Sequence, residues 1–232
     1  MKRIRMAVVI LDVILGLLLL CVIVWRNAGV GQTKAASGSE VKWKEGIEPK
    51  RIALTFDDGP HPYYTEQLLD GLKERGVRAT FFVTGEHDSL HPEIIKRMWE
   101  EGHVIGNHTY SHMQLRQDNR DAFKKELQQT NKVLKELTGE DVVYVRPPYG
   151  AWDKELEKEL NMIPVLWSVD PLDWCTENSQ TVARRVKEKV KDNSIILLHD
   201  YFDTSVTAAL QIVDELLEEG YEFVTVEEMI FG

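Results

Sequence analysis

The sequence is poor in cysteine and short of positive charge. Its 232 residues include two cysteines, Cys21 in an apolar N-terminal run and Cys175 far along the chain, so no internal disulfide is expected. We expect Cys175 to be a small buried residue. Lys and Arg total 28 against 38 Asp and Glu, which gives a net charge of −10. An acidic surface repels a phosphate backbone, which argues against a nucleic-acid partner.

Internal repeats and low-complexity segments are also lacking. Hydrophobic residues make up 43% of the chain, enough for one sizeable core, so a single globular domain is expected. The first forty residues contain five basic and two acidic groups, a net charge of +3, and the remainder therefore carries −13.

The only long hydrophobic run lies near the N-terminus. Residues 6–25 contain one charged group, Asp12, and a helix of that length spans about 30 Å, the thickness of a bilayer's hydrocarbon core. The basic tail at 1–5 predicts a cytoplasmic N-terminus and a single-pass signal-anchor. A linker at 26–49 and an extracellular domain at 50–232 would follow. A cleaved signal peptide, releasing a secreted protein, is the alternative.

From residue 50 onward, short β-rich runs alternate with helical patterns. This alternation predicts a mostly parallel sheet wrapped by helices. About 180 residues are few for eight βα units, so we expect a distorted (β/α) barrel of about seven parallel strands. The predicted strands are 51–56, 79–84, 104–107, 142–145, 163–168, 194–198 and 222–226, and the predicted helices are 65–75, 92–101, 121–137, 153–160, 180–190 and 207–219.

Acids and histidines follow several of these strands and predict a metal site at one face of the sheet. The segment "TFDDGP" places Asp57 and Asp58 at the end of the first strand, and "HTYSH" places His108 and His112 four residues apart. On a helical turn that spacing puts both imidazoles on one side. Two His and one Asp leave an open coordination position, which suits catalytic zinc. One Asp can bind the metal and the other can accept a proton.

Three further segments contain polar groups that follow strands. Arg146 in "RPPYG" could pair with a carboxylate and hold it ionised, and "DPLDW" adds two acids and a tryptophan. His199 in "LLHD", with an Asp partner, is a candidate general acid. Alone, each segment would more often be structural.

Together the five segments resemble, in order and spacing, the five motifs of the polysaccharide deacetylase family, also called the NodB-homology group or carbohydrate esterase family 4. The resemblance spans residues 55–200. It implies a distorted barrel with one divalent metal ion, usually Zn²⁺, with Co²⁺ or another divalent ion as the alternative. It implies that Asp58, His108 and His112 are the metal ligands. Asp57 would be the catalytic base, and His199 the acid that protonates the leaving amine.

The resemblance also assigns supporting roles around these groups. Arg146 would hold the base, and Asp173 would tune the base and acid. The acetyl pocket would be walled by Trp174 and Leu197, and the backbone N–H of Tyr149 would help to bind the oxyanion.

The substrate implied by the resemblance is an N-acetylated glycan. An outward-facing anchored enzyme could reach the cell wall, so N-acetylglucosamine in peptidoglycan is the preferred target. Chitin oligomers, an exopolysaccharide and N-acetylmuramic acid remain alternatives. Other classes are a non-catalytic glycan-binding homologue, a glycosidase with two carboxylates across the scissile bond, and a metal-dependent phosphoesterase. The sequence makes no prediction of oligomeric state.

Overall fold

The part of the chain that a computed structural model describes is residues 49–232. The predicted tail at 1–5, the predicted membrane segment at 6–25 and almost all of the predicted linker lie outside the described residues. Across residues 49–232, no helix has both the length and the apolar character required to cross a bilayer.

The core of this region is a sheet in which every paired strand runs parallel to its neighbour. The first strand is central and pairs with the second, sixth and seventh strands, and the sheet continues from the second through the third and fourth to the fifth. The strands are β1 (Lys50–Asp57), β2 (Thr80–Val83), β3 (Val104–Asn107), β4 (Tyr144–Val145), β5 (Ile163–Pro164), β6 (Ser194–His199) and β7 (Tyr221–Val224). The structure therefore confirms the predicted α/β class and the parallel sheet.

The sheet curls toward a barrel because the chain after β5 changes partner. Residues 163–165 pair with β4, whereas Val169 forms a parallel bridge with Ile196 of β6. The strand predicted at 163–168 is for this reason reduced to Ile163–Pro164. The strand predicted at 142–145 is also reduced to two residues, Tyr144–Val145. The result is a curled half-barrel of parallel strands, consistent with the distorted barrel expected from the sequence.

Helices pack against the sheet and supply most of the remaining core. In β1 every residue from Ile52 to Asp57 is buried, as expected for a strand covered on both faces. Two six-residue helices, Gly85–Leu90 and Val226–Phe231, were not predicted. The helices are α1 (Tyr64–Glu74), α2 (Gly85–Leu90), α3 (Pro92–Glu100), α4 (Arg120–Thr138), α5 (Lys154–Leu160), α6 (Ser179–Lys189), α7 (Asp203–Glu218) and α8 (Val226–Phe231).

The carboxyl ends of four strands bring polar groups to one edge of the sheet. Asp57 and His199 are register partners at the ends of β1 and β6. Asn107 and Val145 are partners at the ends of β3 and β4, so His108 and Arg146 follow side by side. Parallel pairing thus brings together residues that are up to 142 positions apart in the sequence.

Candidate active site

A cavity of about 330 Å³ opens at the carboxyl edge of the sheet. Eight of the ten predicted site residues line it: Asp57, Asp58, His108, His112, Tyr149, Trp174, Leu197 and His199. The other two, Arg146 and Asp173, are buried behind the cavity wall, where they contact Asp57 and His199 respectively. The structure therefore brings all ten predicted residues into one neighbourhood.

Asp58, His108 and His112 converge on a common point. One ligand atom from each lies within 4.8 Å of the other two. Oδ1 of Asp58 is 3.4 Å from Nε2 of His108 and 3.4 Å from Nε2 of His112. That oxygen is buried and lacks a hydrogen-bond partner within residues 49–232. An unpartnered carboxylate oxygen facing two imidazole nitrogens fits a bound divalent cation.

The charge states of Asp58 and His112 and the ring tautomer of His108 also fit a metal. Burial raises the pKa of Asp58, but the imidazoles of His108, His199 and His112 outweigh it and lower that pKa to about 2. Burial lowers the pKa of His112, which favours the neutral ring that binds metals. Nδ1 of His108 is 2.6 Å from the carbonyl oxygen of Arg146. Because a carbonyl only accepts, Nδ1 must donate, and Nε2 is left as the ligand atom.

The two histidines do not lie on a helical turn, so that prediction is wrong. Residues 108–112 form an irregular loop in which Thr109 and His112 have left-handed φ values of 66° and 58°. The loop is held from outside: Oε2 of Glu126 accepts from the backbone N–H groups of Tyr110 and Ser111, at 3.0 and 2.6 Å. These contacts, rather than helical geometry, bring the imidazoles together.

Asp57 is held by a buried arginine. Nη1 of Arg146 donates to Oδ1 of Asp57 at 2.8 Å and to Oγ1 of Thr55 at 2.7 Å. The guanidinium also stacks over the ring of Phe82, 4.2 Å from its centroid, and is fully buried. Oδ2 of Asp57 lies 3.7 Å from Nε2 of His108. One oxygen of Asp57 is thus fixed by Arg146, while the other lies beside the metal-ligand cluster.

His199 has a comparable support. Its Nδ1 is 2.8 Å from Oδ1 of Asp173, and its backbone N–H donates to Oδ2 of the same residue at 2.9 Å. Ser205 donates a further hydrogen bond to Asp173 at 2.6 Å. Burial lowers the pKa of His199, but the hydrogen bond and charge of Asp173, with the charges of Asp57 and Asp58, raise it to about 9. The imidazole ring of His199 is therefore positively charged at neutral pH, with a proton on both nitrogens.

The rim of the cavity is aromatic. The side chains of Tyr149 and Trp174 are largely exposed, and Leu197 is buried in the floor. Tyr149 has a left-handed φ of 60° in the turn Pro148–Gly150, a strained conformation for a non-glycine residue. Cys175 is exposed, contrary to the prediction, because it ends the short 3₁₀ turn Asp173–Cys175 at the rim.

Four supporting residues were missed by sequence reasoning. Thr55 and Ser205 contact Arg146 and Asp173, and Glu126 holds the histidine loop. Asn107 accepts from the backbone N–H of Thr109 and donates to the carbonyl oxygen of Leu127 in α4. Asn107 directly precedes His108, and Thr55 lies two residues before Asp57, which was a usable signal. Glu126 and Ser205 lie inside helices, and nothing in the sequence around them indicated a role at the site.

Comparison with known proteins places this geometry in a family. The family model described as polysaccharide deacetylase matches residues 44–165. A peptidoglycan N-acetylmuramic acid deacetylase of Bacillus subtilis is 40% identical over 188 residues, covering 80% of this chain and 40% of that protein. A peptidoglycan N-acetylglucosamine deacetylase of Listeria monocytogenes is 39% identical over 180 residues, covering 78% of this chain and 39% of that protein. The chain thus spans about two fifths of the length of these relatives.

A solved structure shows the same fold. The structure of the Bacillus subtilis peptidoglycan deacetylase PdaC superposes with a TM-score of 0.76 and 41% identity, over 78% of this chain and 90% of that one. The segment that the family model matches, residues 44–165, contains the Asp-Asp, His-x-x-x-His and Arg-Pro-Pro motifs of the cavity. The chain belongs to the polysaccharide deacetylase family.

Proposed function

We propose that the chain is a metal-dependent hydrolase that removes the acetyl group from N-acetylglucosamine residues of a cell-wall glycan, peptidoglycan first, and releases acetate. The observation that carries the proposal is one cavity with three elements: the Asp58–His108–His112 cluster, a carboxylate fixed by Arg146, and a protonated His199. Amide hydrolysis needs an activated water, a stabilised oxyanion and a proton for the nitrogen. The three elements supply these needs.

Asp58, His108 and His112 would hold one divalent ion, and two imidazoles with one carboxylate and an open position favour Zn²⁺ over Ca²⁺ or Mg²⁺. When bound, such an ion supplies Lewis-acid activation of water at neutral pH. The hydrogen bond from Nδ1 of His108 to the carbonyl of Arg146 fixes the ring orientation before any ion binds.

Asp57 acts as the general base. Its Oδ1 is engaged by Arg146, so Oδ2, on the side of His108, is the oxygen that takes a proton from the attacking water. The remaining hydroxide adds to the acetyl carbonyl carbon. Arg146 stops the carboxylate of Asp57 from rotating, because the guanidinium is itself fixed by Thr55 and by the carbonyl of Val165. Donation from the backbone N–H of Tyr149 stabilises the oxyanion.

His199 acts as the general acid. The proton on Nε2 passes to the amide nitrogen as the carbon–nitrogen bond breaks, which gives acetate and a free sugar amine. Asp173 positions the ring through Nδ1 and supports the charged state. The exposed Trp174 and the floor residue Leu197 flank the space for the acetyl methyl group.

The glycosidase alternative is less well supported by this arrangement. Asp57 and Asp58 approach the same imidazole nitrogen of His108, at 3.7 and 3.4 Å. Two carboxylates of a glycosidase instead face each other across a sugar bond. A phosphoesterase would favour basic groups near its substrate, and no Lys or Arg of the described residues lines the cavity.

We also infer that the catalytic domain is held at the outer face of a membrane by residues 6–25. The support is the twenty-residue apolar run with basic residues before it. Fractionation of cells followed by protease treatment of intact cells tests this: anchored chain should pellet with membranes, and its domain should be cleaved. Recovery of the domain from the medium would favour the secreted alternative.

The deciding experiment for the activity is acetate release by the full purified chain. Peptidoglycan and N-acetylglucosamine oligomers are assayed side by side, with EDTA and then with added Zn²⁺, and with Asp57→Asn as the inactive control. We expect release from peptidoglycan that EDTA abolishes and Zn²⁺ restores. Mass spectrometry of the digested product then shows which sugar lost its acetyl group.

Each other outcome has a definite meaning. Release from chitin oligomers alone would retain the chemistry and replace the substrate. Loss of acetyl from N-acetylmuramic acid would change the target sugar. Release of reducing ends instead of acetate would contradict the deacetylase assignment.

A further inference from the structure

A second cavity lies beside the catalytic one. It has a volume of about 250 Å³ and shares Asp58, His112 and Phe202 with the wall of the catalytic cavity. Because these residues face both spaces, the two cavities form adjoining parts of one cleft across the metal-ligand cluster. We call this second space the side cavity. No step of the proposed hydrolysis uses it.

The side cavity has a preformed aromatic wall. Tyr201 follows the general acid His199 by two residues and is 38% exposed. Its ring stacks on the imidazole of His87 at a centroid distance of 5.4 Å and an interplanar angle of 22°, and it meets the edge of His61 at 4.9 Å. Both contacts restrain the tyrosine ring without covering it, so its orientation is set before a ligand arrives.

This wall is connected to the metal-ligand cluster. Nδ1 of His87 lies 2.8 Å from the backbone carbonyl oxygen of Asp58. Because a carbonyl oxygen only accepts, Nδ1 donates this hydrogen bond. The imidazole of His87, which stacks on Tyr201, is therefore hydrogen-bonded to Asp58, the residue that supplies the carboxylate ligand. A group resting on Tyr201 would be placed at a defined distance from the reacting centre.

The charge of the wall limits the occupant. Glu86 and Asp58 place carboxylates in the lining of the side cavity, whereas no Lys or Arg among the described residues lines it. An anionic group would face the carboxylate of Glu86 and would find no cationic side chain in this lining to pair with. An uncharged ring with one apolar face and polar edges fits an aromatic platform flanked by hydroxyl and imidazole groups.

We propose that the side cavity binds the sugar ring that neighbours the N-acetyl sugar under attack, with Tyr201 as the stacking platform. The inference rests on the proposed function. It makes Tyr201 a specificity-determining residue that distinguishes a chain of sugars from a single acetylated group. A lactyl carboxylate on the neighbouring ring would have to point away from Glu86, toward solvent.

The test compares a long and a short substrate in the full zinc-loaded chain. Tyr201→Ala should lower kcat/KM for the N-acetylglucosamine tetramer about tenfold, the equivalent of losing one good aromatic contact. Hydrolysis of 4-nitrophenyl acetate, which has no neighbouring sugar, should stay at the wild-type rate. Tyr201→Phe should retain tetramer turnover, and Trp99→Ala, an exposed aromatic on α3 outside the cleft, should change neither.

Several results would overturn the proposal. Unchanged tetramer turnover in Tyr201→Ala would show that the ring carries no substrate. An equal loss on both substrates would make Tyr201 a support of the catalytic cavity. Should Tyr201→Ala not fold, Tyr201→Leu keeps apolar packing on His87 and removes the flat ring, with the same expectations.

Failure of the proposed function is distinguished by a binding measurement. If the wild-type chain releases no acetate, calorimetric titration with the tetramer still reports on the side cavity. Binding that weakens about tenfold in Tyr201→Ala supports the subsite without catalysis. Absence of tetramer binding in the wild type overturns it.

Discussion

The carboxylate of Asp173 should determine the pH range over which the chain is active. His199 lies in a buried position that alone would lower its pKa, yet Asp173, with help from Asp57 and Asp58, raises that pKa to about 9. Asp173→Asn keeps the shape of the side chain and one acceptor oxygen but removes the charge. We therefore expect the pKa of His199 to fall to about its ordinary value of 6.5 or below.

The size of the effect follows from those two values. A difference of about 2.5 between them corresponds to about 3 kcal/mol of preference for the charged ring. The direction is that of a raised histidine pKa: the proton is held below pH 9 and lost as the pH rises through that value. At pH 8 about nine tenths of the wild-type rings are charged, against about one thirtieth in Asp173→Asn.

The assay is the pH profile of kcat/KM for acetate release. In Asp173→Asn the alkaline limb should move down by about 2.5 pH units, so activity falls about thirtyfold at pH 8 and much less at pH 6. Asp170→Asn is the matched control, since Asp170 lines the same cavity without contacting His199. An alkaline limb unchanged in Asp173→Asn would refute the claim that the carboxylate of Asp173 keeps the imidazole of His199 charged.

Three further predictions concern the base, the metal and the stability of the fold. Asp57→Asn should keep about one bound metal ion per chain by mass spectrometry but lose a factor of about 10²–10⁴ in kcat; wild-type acetate release would contradict the base assignment. His108→Ala should lose both metal and turnover, because it removes one of three ligands; full metal occupancy would contradict the cluster. Asp88→Asn should increase the free energy of unfolding by about 1–3 kcal/mol at pH 7 but hardly at pH 4. The reason is that burial, together with the charge of Asp200, raises the pKa of Asp88 well above its usual range, and neither of its oxygens has a hydrogen-bond partner in the described region. The folded state thus loses stability as the pH rises above about 4, which urea titration at the two pH values measures, with the exposed Asp118→Asn as the control.

The location of the site could be predicted from the sequence because it depends on topology. Once the strands are parallel, the residues after each strand must meet at one edge, and Asp57, His108, Arg146 and His199 do so. The local backbone could not be predicted in the same way. A four-residue spacing favoured a helical turn at His108 and His112, but side-chain contacts from Glu126, distant in sequence, hold the loop in left-handed conformations.

Strand lengths were overestimated where the sheet curls. The β-rich runs at 142–145 and 163–168 indicated complete strands, but each forms a strand of only two residues. After Ile163–Pro164 the chain turns to β6, where Val169 pairs with Ile196. Curvature arises from pairing between distant segments, and hydrophobic periodicity does not encode it. The missed helices α2 and α8 have six residues each, too short for a helical period to be recognised.

The carbonyl oxygen and the guanidinium of Arg146 serve different partners. The carbonyl accepts from His108, the proposed metal ligand, and the guanidinium donates to Asp57, the proposed base. The separation between ligand and base is consequently set by the bond lengths and rotamer of one amino acid, not by the packing of two independent segments. A displacement of residue 146 would therefore carry His108 and Asp57 with it, and their relative alignment would be preserved.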